Sequence, residues 1–520
     1  MFTVLHSGSV HGVEGKRISV EVDISSGLPQ VNVVGLPDPA VRESVERVRA
    51  AIKNSGFKFP LDRITVNLAP ADLRKEGTAF DLAIAAGILT ASGQLPAAPF
   101  DNAILIGELS LNGKIRPVHG VLALLEMAKR SGIRKVLLPL GNAEEAAWIG
   151  GMELFAVSDL RELAEGGWEG IRYEPGKAAV PGGSKTRKTE EEEPFGDYSD
   201  VIGQQQAKRA MLVAAAGKHN VILLGPPGTG KTMMIRRLPT ILPPLTEAEA
   251  LEVTKIYSAA GKLAQGADGL MRIPPFRSPH HTISSAGLIG GGSIPKPGEV
   301  TLAHKGILYL DELAEFSRQV LEVLRQPLED RIVTIARAKA VFRFPADIML
   351  AASLNPCPCG FHGHEYGDNR CICSPSAIAR YKAKISGPLL DRIDLQLEVP
   401  RPAAIAGSAG RSSVPSLSSA EMRAVVTEAR RRQAARQKEF GGANIKLSGA
   451  ALRRAVRLRP DAAGLLDNAF DALGISMRAY DRILRLARTI ADIEAADEIG
   501  AEHVAEALQY RRLDRKQTIP

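Results

Sequence analysis

The sequence predicts an α/β protein centred on a parallel sheet, with an α+β region before it and a helical region after it. Three observations predict that class. First, the apolar run Val221-Ile222-Leu223-Leu224 leads into Gly225-Pro226-Pro227-Gly228-Thr229-Gly230-Lys231-Thr232 and then into an apolar-faced helix. Second, Ile307-Leu308-Tyr309-Leu310 and Ile348-Met349-Leu350-Ala351-Ala352-Ser353-Leu354 are short, almost wholly apolar runs, the signature of strands buried on both faces. Third, the pattern beyond residue 420 is nearly all helical.

Composition sets the outer bounds. A length of 520 residues allows roughly three domains. A hydrophobic share of 45% and a charged share of 24% are those of a globular chain. No run approaches the eighteen or so apolar residues of a membrane span, and the first residues lack a basic n-region, so the expected location is the cytoplasm. The net charge of +8 favours a polyanionic partner. All four cysteines fall between 357 and 373, which points to metal binding rather than a disulfide framework.

Residues 1–172 read as interleaved strands and helices. Alternation at 17–22 and 30–33 predicts half-buried strands; Asp38-Pro39 supplies an N-cap and a first-turn proline for a helix to residue 54. A strand at 64–68 and an apolar helix at 80–90 follow, and Asn112-Gly113 predicts a hairpin turn joining strands at 104–106 and 115–118. The segment 106–118, Ile-Gly-Glu-Leu-Ser-Leu-Asn-Gly-Lys-Ile-Arg-Pro-Val, with the helix and Val136-Leu137-Leu138-Pro139 after it, resembles the proteolytic domain of Lon proteases. That family uses a Ser/Lys dyad, in which the lysine must lie close enough to deprotonate the serine. Here Ala79 stands at the serine position and Leu122 at the lysine position. The resemblance therefore implies a Lon-like, non-proteolytic domain over 1–172, with Thr78 as the one neighbouring hydroxyl. Residues 173–199, rich in Pro, Gly, Lys and Glu, read as a flexible linker.

Residues 200–402 carry the phosphate chemistry. In the strand-loop-helix context, Gly225, Pro226, Pro227, Gly228, Thr229 and Gly230 form a loop whose amides cradle phosphate oxygens. Lys231 reaches the outer phosphates, and the Thr232 hydroxyl is a Mg²⁺ ligand. The strand at 307–310 ends in Asp311-Glu312, one carboxylate for Mg²⁺ and one to orient a water. The strand at 348–354 delivers Asn355 to the same edge. ATP with Mg²⁺ is thus the expected cofactor. Asn355 resembles the sensor-1 residue of AAA+ ATPases, Arg392 in Leu389-Leu390-Asp391-Arg392-Ile393-Asp394 the arginine finger of their chelatase branch, and Arg478 the sensor-2 arginine at a helix start.

The glycine-rich stretch 290–299 reads as an irregular, mobile loop. The stretch 331–344 reads as a hairpin bearing Arg337, Lys339 and Arg343, which is either a solvated tip or, as in related motors, a grip on a nucleic-acid backbone. Cys357-Pro358-Cys359 and Cys371-Ile372-Cys373 are spaced to close a tetrahedral Zn²⁺ site, with His362 and His364 as alternative ligands. Residues 403–419 read as a second flexible segment, and 420–520 as a helical lid. Within 421–460, eleven Lys or Arg stand against three Asp or Glu, either a solvated face or a nucleic-acid contact.

Taken together, the chain resembles the Mg-chelatase-like AAA+ proteins of the ComM/YifB family. That resemblance implies an ATP-hydrolysing, hexameric DNA motor, a helicase promoting branch migration of recombination intermediates in natural transformation. Its implied partners are single-stranded or branched DNA and further copies of the chain, with no membrane. The alternatives are a metal-chelatase-type motor and a protein-remodelling ATPase.

Overall fold

The computed structural model describes residues 1–164, 168–175, 195–263, 269–292, 295–337, 340–401, 417–440, 449–474 and 476–511. Most of the segments expected to be flexible, 173–199 and 403–419, lie outside the described residues, as does Lys339. Two compact units form: Met1–Arg187 with Leu251–Met271, and Lys188–Ala250 with Arg272–Pro520.

The first unit is built on a seven-stranded mixed sheet. Its strands are β1 (Phe2–His11), β2 (Glu14–Ser25), β3 (Gln30–Val34), β4 (Arg63–Ala69), β5 (Ala103–Leu105), β6 (Lys135–Pro139) and β7 (Glu153–Val157), in the order β3-β4-β2-β1-β5-β6-β7. Alternation explains the pairing: Ile18, Val20 and Val22 of β2 and Ile64, Val66 and Leu68 of β4 all point into one core. Helix α1 (Pro39–Asn54) starts as the sequence predicts, with the Asp38 carboxylate accepting from the Val41 amide at 2.8 Å. Helix α2 (Asp81–Ala91) is apolar on every side, and it is buried along almost its whole length.

Two expectations need correction here. Residues 104–106 are not one arm of the Asn112-Gly113 hairpin. That turn joins the two-residue strands Glu108–Leu109 and Ile115–Arg116, while β5 lies between β1 and β6 in parallel register. An unbroken apolar run belongs inside a sheet, where both faces are covered. Strand β1, which the sequence reading passed over, pairs with β2 along its whole length.

The Lon-type catalytic positions are apolar. Leu122, on α3 (Val121–Arg130), is fully buried, and Ala79 packs against the same core cluster. The Thr78 hydroxyl donates to Glu108, whose carboxylate also faces Arg116 at 3.7 Å.

The second unit holds a five-stranded parallel sheet. Its strands are β8 (Val221–Leu224), β9 (Phe276–Arg277), β10 (Ile307–Leu310), β11 and β12 (Ile332–Arg337 and Ala340–Pro345, a separate hairpin), β13 (Met349–Leu354) and β14 (Leu395–Glu398). The sheet order is β9-β10-β13-β8-β14. In such sheets ligands gather beyond the carboxyl ends of the strands. The strand before the glycine-rich loop lies between β13 and β14, so both neighbours flank that loop.

The stretch 290–299 contains regular structure, which corrects its reading as a loop: Gly290–Gly291 pair with Lys296–Pro297, and a helix starts at Glu299. Helices α4 (Gln205–Gly217), α5 (Lys231–Arg236), α6 (Ser419–Phe440), α7 (Pro460–Leu473), α8 (Met477–Ile493) and α9 (Ala501–Gln509) supply the helical part. Part of the basic run on α6 is spent inside the unit, while the Arg431 side chain is 76% exposed. Arg423 donates to Thr240 O at 2.7 Å, Arg430 to Ala215 O at 2.7 Å, and Arg436 pairs with Asp492. Burial holds the Arg430 guanidinium down to about 10.

Candidate nucleotide and metal sites

The glycine-rich loop leaves the sheet between two strand ends. Its Gly225 amide donates to Leu354 O of β13 at 3.1 Å, and the Val399 amide just past β14 donates to Leu224 O at 2.7 Å. A Cβ at Gly225 would sit 2.3 Å from Val399 O, so only glycine passes there. Gly228 and Gly230 adopt φ of +78° and +85°, which turns their amides inward and starts α5 at Lys231. Lys231 is buried. Its Nζ reaches Gly225 O at 2.7 Å, Pro226 O at 2.8 Å and Asn355 Oδ1 at 3.2 Å. Burial lowers its pKa, while Asp311 and Glu312 oppose that shift.

The Asp311 carboxylate stands 3.3 Å from the Thr232 hydroxyl, which also accepts from the Tyr309 hydroxyl at 3.2 Å. Two hard oxygens so placed suit a cation such as Mg²⁺. Glu312, exposed at the edge, sits at φ +51°, a strained setting for a non-glycine residue. Its amide is held by the Ser353 hydroxyl at 3.0 Å, and that same hydroxyl donates to Asp311. The structure thus brings Lys231, Thr232, Asp311, Glu312 and Asn355 together.

Arg392 and Arg478 lie elsewhere. Arg392 donates to Pro388 O at 2.7 Å and pairs with Glu329. Burial lowers its pKa, and so do the nearby charges of Arg325 and Arg478. Among the described residues no contact takes either arginine to the loop or to its carboxylates. Arg337 and Arg343 are exposed on the β11-β12 hairpin, with Arg343 opposite Thr334.

Sequence reasoning missed several supports. Asn220 sends Nδ2 to Arg392 O at 2.8 Å and accepts the Leu350 amide at 2.9 Å. Asp394 accepts the Asn220 amide at 3.1 Å and faces His219 and Arg482. Only Ser353 had a visible signal, as the lone hydroxyl in an apolar strand.

The four cysteines converge. Cys357 Sγ lies 3.3 Å from Cys359 Sγ and 3.8 Å from Cys371 Sγ, with 3.7 Å between Cys359 and Cys371; Cys373 joins them within 4.8 Å. None forms a disulfide. Tetrahedral Zn²⁺ with Zn–S of about 2.3 Å requires sulfur separations of about 3.8 Å, so the cluster fits that ion. His364 turns away to Glu398 at 3.2 Å, whereas His362 stands with Glu365 beside Cys371.

A glycine-rich loop between the central strands of a parallel sheet, with lysine, threonine and paired carboxylates at its mouth, defines a P-loop nucleotide-binding protein. Comparison with known proteins narrows that class. Residues 197–406 match the family described as "Magnesium chelatase, subunit ChlI"; residues 20–142 match "Subunit ChlI of Mg-chelatase", and residues 416–511 its C-terminal part. The chain is 42% identical over 517 residues to the uncharacterized protein YifB of Escherichia coli K12, covering 99% of this chain and 97% of the relative. It is 41% identical over 516 residues to the competence protein ComM of Haemophilus influenzae, covering 98% of each. A shorter match, 28% identical over 169 residues and 29% of this chain, is to Lon protease 2 of Bacillus subtilis, of which it covers 30%. The chain belongs to the Mg-chelatase-like AAA+ family of ComM and YifB. That family implies ATP and Mg²⁺.

Among the described residues no helix is long and apolar enough to cross a membrane.

Proposed function

We propose that the protein is an ATP-hydrolysing ring motor that acts on DNA, a helicase promoting branch migration in a competence-related process. The observation that carries the reading is the crowding of Arg325, Arg392 and Arg478 away from the chain's own phosphate loop. Glu322 and Glu329 offset these charges in part, and a neighbouring subunit's triphosphate would add a multivalent anion that suits them better. Bound Mg·ATP would supply the scissile phosphoanhydride and its charge shielding. The loop amides and Lys231 would hold the phosphates, Thr232 and Asp311 the Mg²⁺, and Glu312 would orient and polarise a water, with Asn355 beside it. Arg392, and Arg478 with it, would reach in from the next copy and offset transition-state charge, which makes ring assembly, a hexamer in the family reading, the switch on activity.

DNA is read from the exposed Arg337 and Arg343, with Lys339 between them in sequence, and from the family. The Cys357, Cys359, Cys371, Cys373 cluster holds Zn²⁺ in this reading. The Lon-like unit serves as a scaffold without peptidase chemistry, since Ala79 and Leu122 offer neither nucleophile nor base.

The test is ATP turnover with and without DNA, together with dissociation of a four-way junction, on an oligomer verified by mass photometry. Stimulation by DNA and junction processing are expected. A verified ring that shows neither would overturn the DNA reading and favour a chelatase-type or protein-remodelling motor.

A further inference from the structure

The cysteine cluster is placed where it can govern the nucleotide loop. It begins two residues after Asn355, whose side chain touches Lys231, and Cys357 is fully buried. From there the segment crosses the carboxyl edge of the sheet and is tied down on the far side of β8. His364 meets Glu398 at the end of β14, and the Arg401 guanidinium stacks on Tyr366 at 3.9 Å. The bridge therefore spans β13 and β14, the two strands that flank the one feeding the loop.

Between those anchors the bridge presses on the loop itself. Gly360 adopts φ +88°, and a Cβ there would sit 2.6 Å from Pro227 Cδ and 2.7 Å from Cγ. Pro227 lies in the middle of the phosphate loop. On the other side the buried Tyr381 hydroxyl is set against the Asn355 amide, close to Cys357. The segment has little apolar content of its own, so a metal ion would supply most of its rigidity.

We infer that the metal held by the four cysteines is a strut for the nucleotide site: it fixes Gly360 against Pro227 and Asn355 against Lys231, so that loss of the metal loosens the phosphate loop. The inference rests on the reading of the cluster as a zinc site. A ligand pair coupled in this way must be coupled in both directions, because each binding event favours the same arrangement of the loop.

The experiment uses the full chain purified without chelators. Zinc is measured by inductively coupled plasma mass spectrometry, and Mg·ATPγS affinity by titration calorimetry. One zinc per chain is expected. The doubly substituted chain Cys371→Ser, Cys373→Ser should lose zinc and bind ATPγS at least tenfold more weakly. Gly360→Ala should keep its zinc yet bind ATPγS several-fold more weakly, which separates the strut from any general folding role. In the unaltered chain, saturating Mg·ATPγS should raise the concentration of 4-(2-pyridylazo)resorcinol needed to strip the metal. Absence of zinc in the unaltered chain would overturn the metal reading itself. Zinc present, with ATPγS affinity unchanged in Gly360→Ala and stripping indifferent to nucleotide, would leave the metal site standing and overturn the strut.

Discussion

Asp394→Asn tests how the arginine-bearing turn is held to the sheet. Asp394 is buried, and burial by itself would raise its pKa; His219, Arg482 and Arg485 nevertheless hold it down to about 2. His219 Nδ1 stands 3.6 Å and Arg482 Nε 3.7 Å from its carboxylate. A depression from 3.8 to about 2 corresponds to about 2.5 kcal/mol of folded-state stability. Because the folded pKa is the lower one, that stability is present above about pH 4 and is lost as pH falls towards 2. Asparagine keeps an acceptor for the Asn220 amide but leaves Arg482 without its buried counter-charge, and truncating a buried pair costs about 3–5 kcal/mol. The two routes agree on about 3 kcal/mol, or roughly 6 °C in midpoint for a unit of this size. Thermal and urea unfolding followed by far-UV circular dichroism at pH 7.5 should show this loss, and the gap between the two proteins should close as the pH approaches 2. A change below about 0.5 kcal/mol, the scale of a surface substitution, would refute the reasoning.

Lys231→Ala should abolish ATP turnover, as read by phosphate release, because it removes the charge that meets the outer phosphates. Arg392→Ala should abolish turnover while largely retaining ATPγS binding, and normal hydrolysis would show the finger to be misassigned. In the first unit, burial pushes Asp81 up to about 6 against the pull of Arg47 at 3.0 Å. The folded state therefore keeps the proton better than the unfolded chain, and stability falls as pH rises from about 4 through 6, by about 3 kcal/mol at most. Trp148 and Trp168, both in that unit, report it: the urea midpoint by tryptophan fluorescence should fall across this window and fall less steeply in Asp81→Asn, where the part-buried Glu76 and Glu145 still contribute such a slope. An equal slope in both proteins would sink the assignment.

The nucleotide loop was legible because its chemistry is local: strand, loop and helix are consecutive, and the glycines, lysine and threonine act within eight residues of one another. The carboxylate strand and the Asn355 strand were legible for a related reason, since each announces itself as an apolar run ending in polar residues. What stayed hidden are the groups that lock these pieces together across the sequence. Ser353 reaches Asp311 across 42 positions, Leu350 reaches Asn220 across 130, and Asn220 reaches Asp394 across 174. None of these residues is unusual where it stands; only the order of the strands makes them partners.

The same cause hid the buried partners of some charges on α6. A run of arginines looks solvated as long as its surroundings are unknown, yet the guanidinium is the side chain best suited to capping buried carbonyls, because its donors fan out in a plane and its aliphatic stem tolerates burial. Arg430 does this at Ala215 O and Arg436 meets a fully buried Asp492, whereas Arg423 reaches Thr240 O from an exposed position. Arg430 and Arg436 cannot serve DNA without being torn from the fold. Among the described residues, Arg337 and Arg343 on the β11-β12 hairpin have no such prior claim, and Arg392 has a weaker one. Its partner Glu329 is 54% exposed although the Arg392 side chain is only 12% exposed, so the carboxylate can leave into water. Surrendering Glu329 for a triphosphate would thus cost little, and Glu322, which pairs with Arg325 at 2.9 Å, would remain beside the arginines.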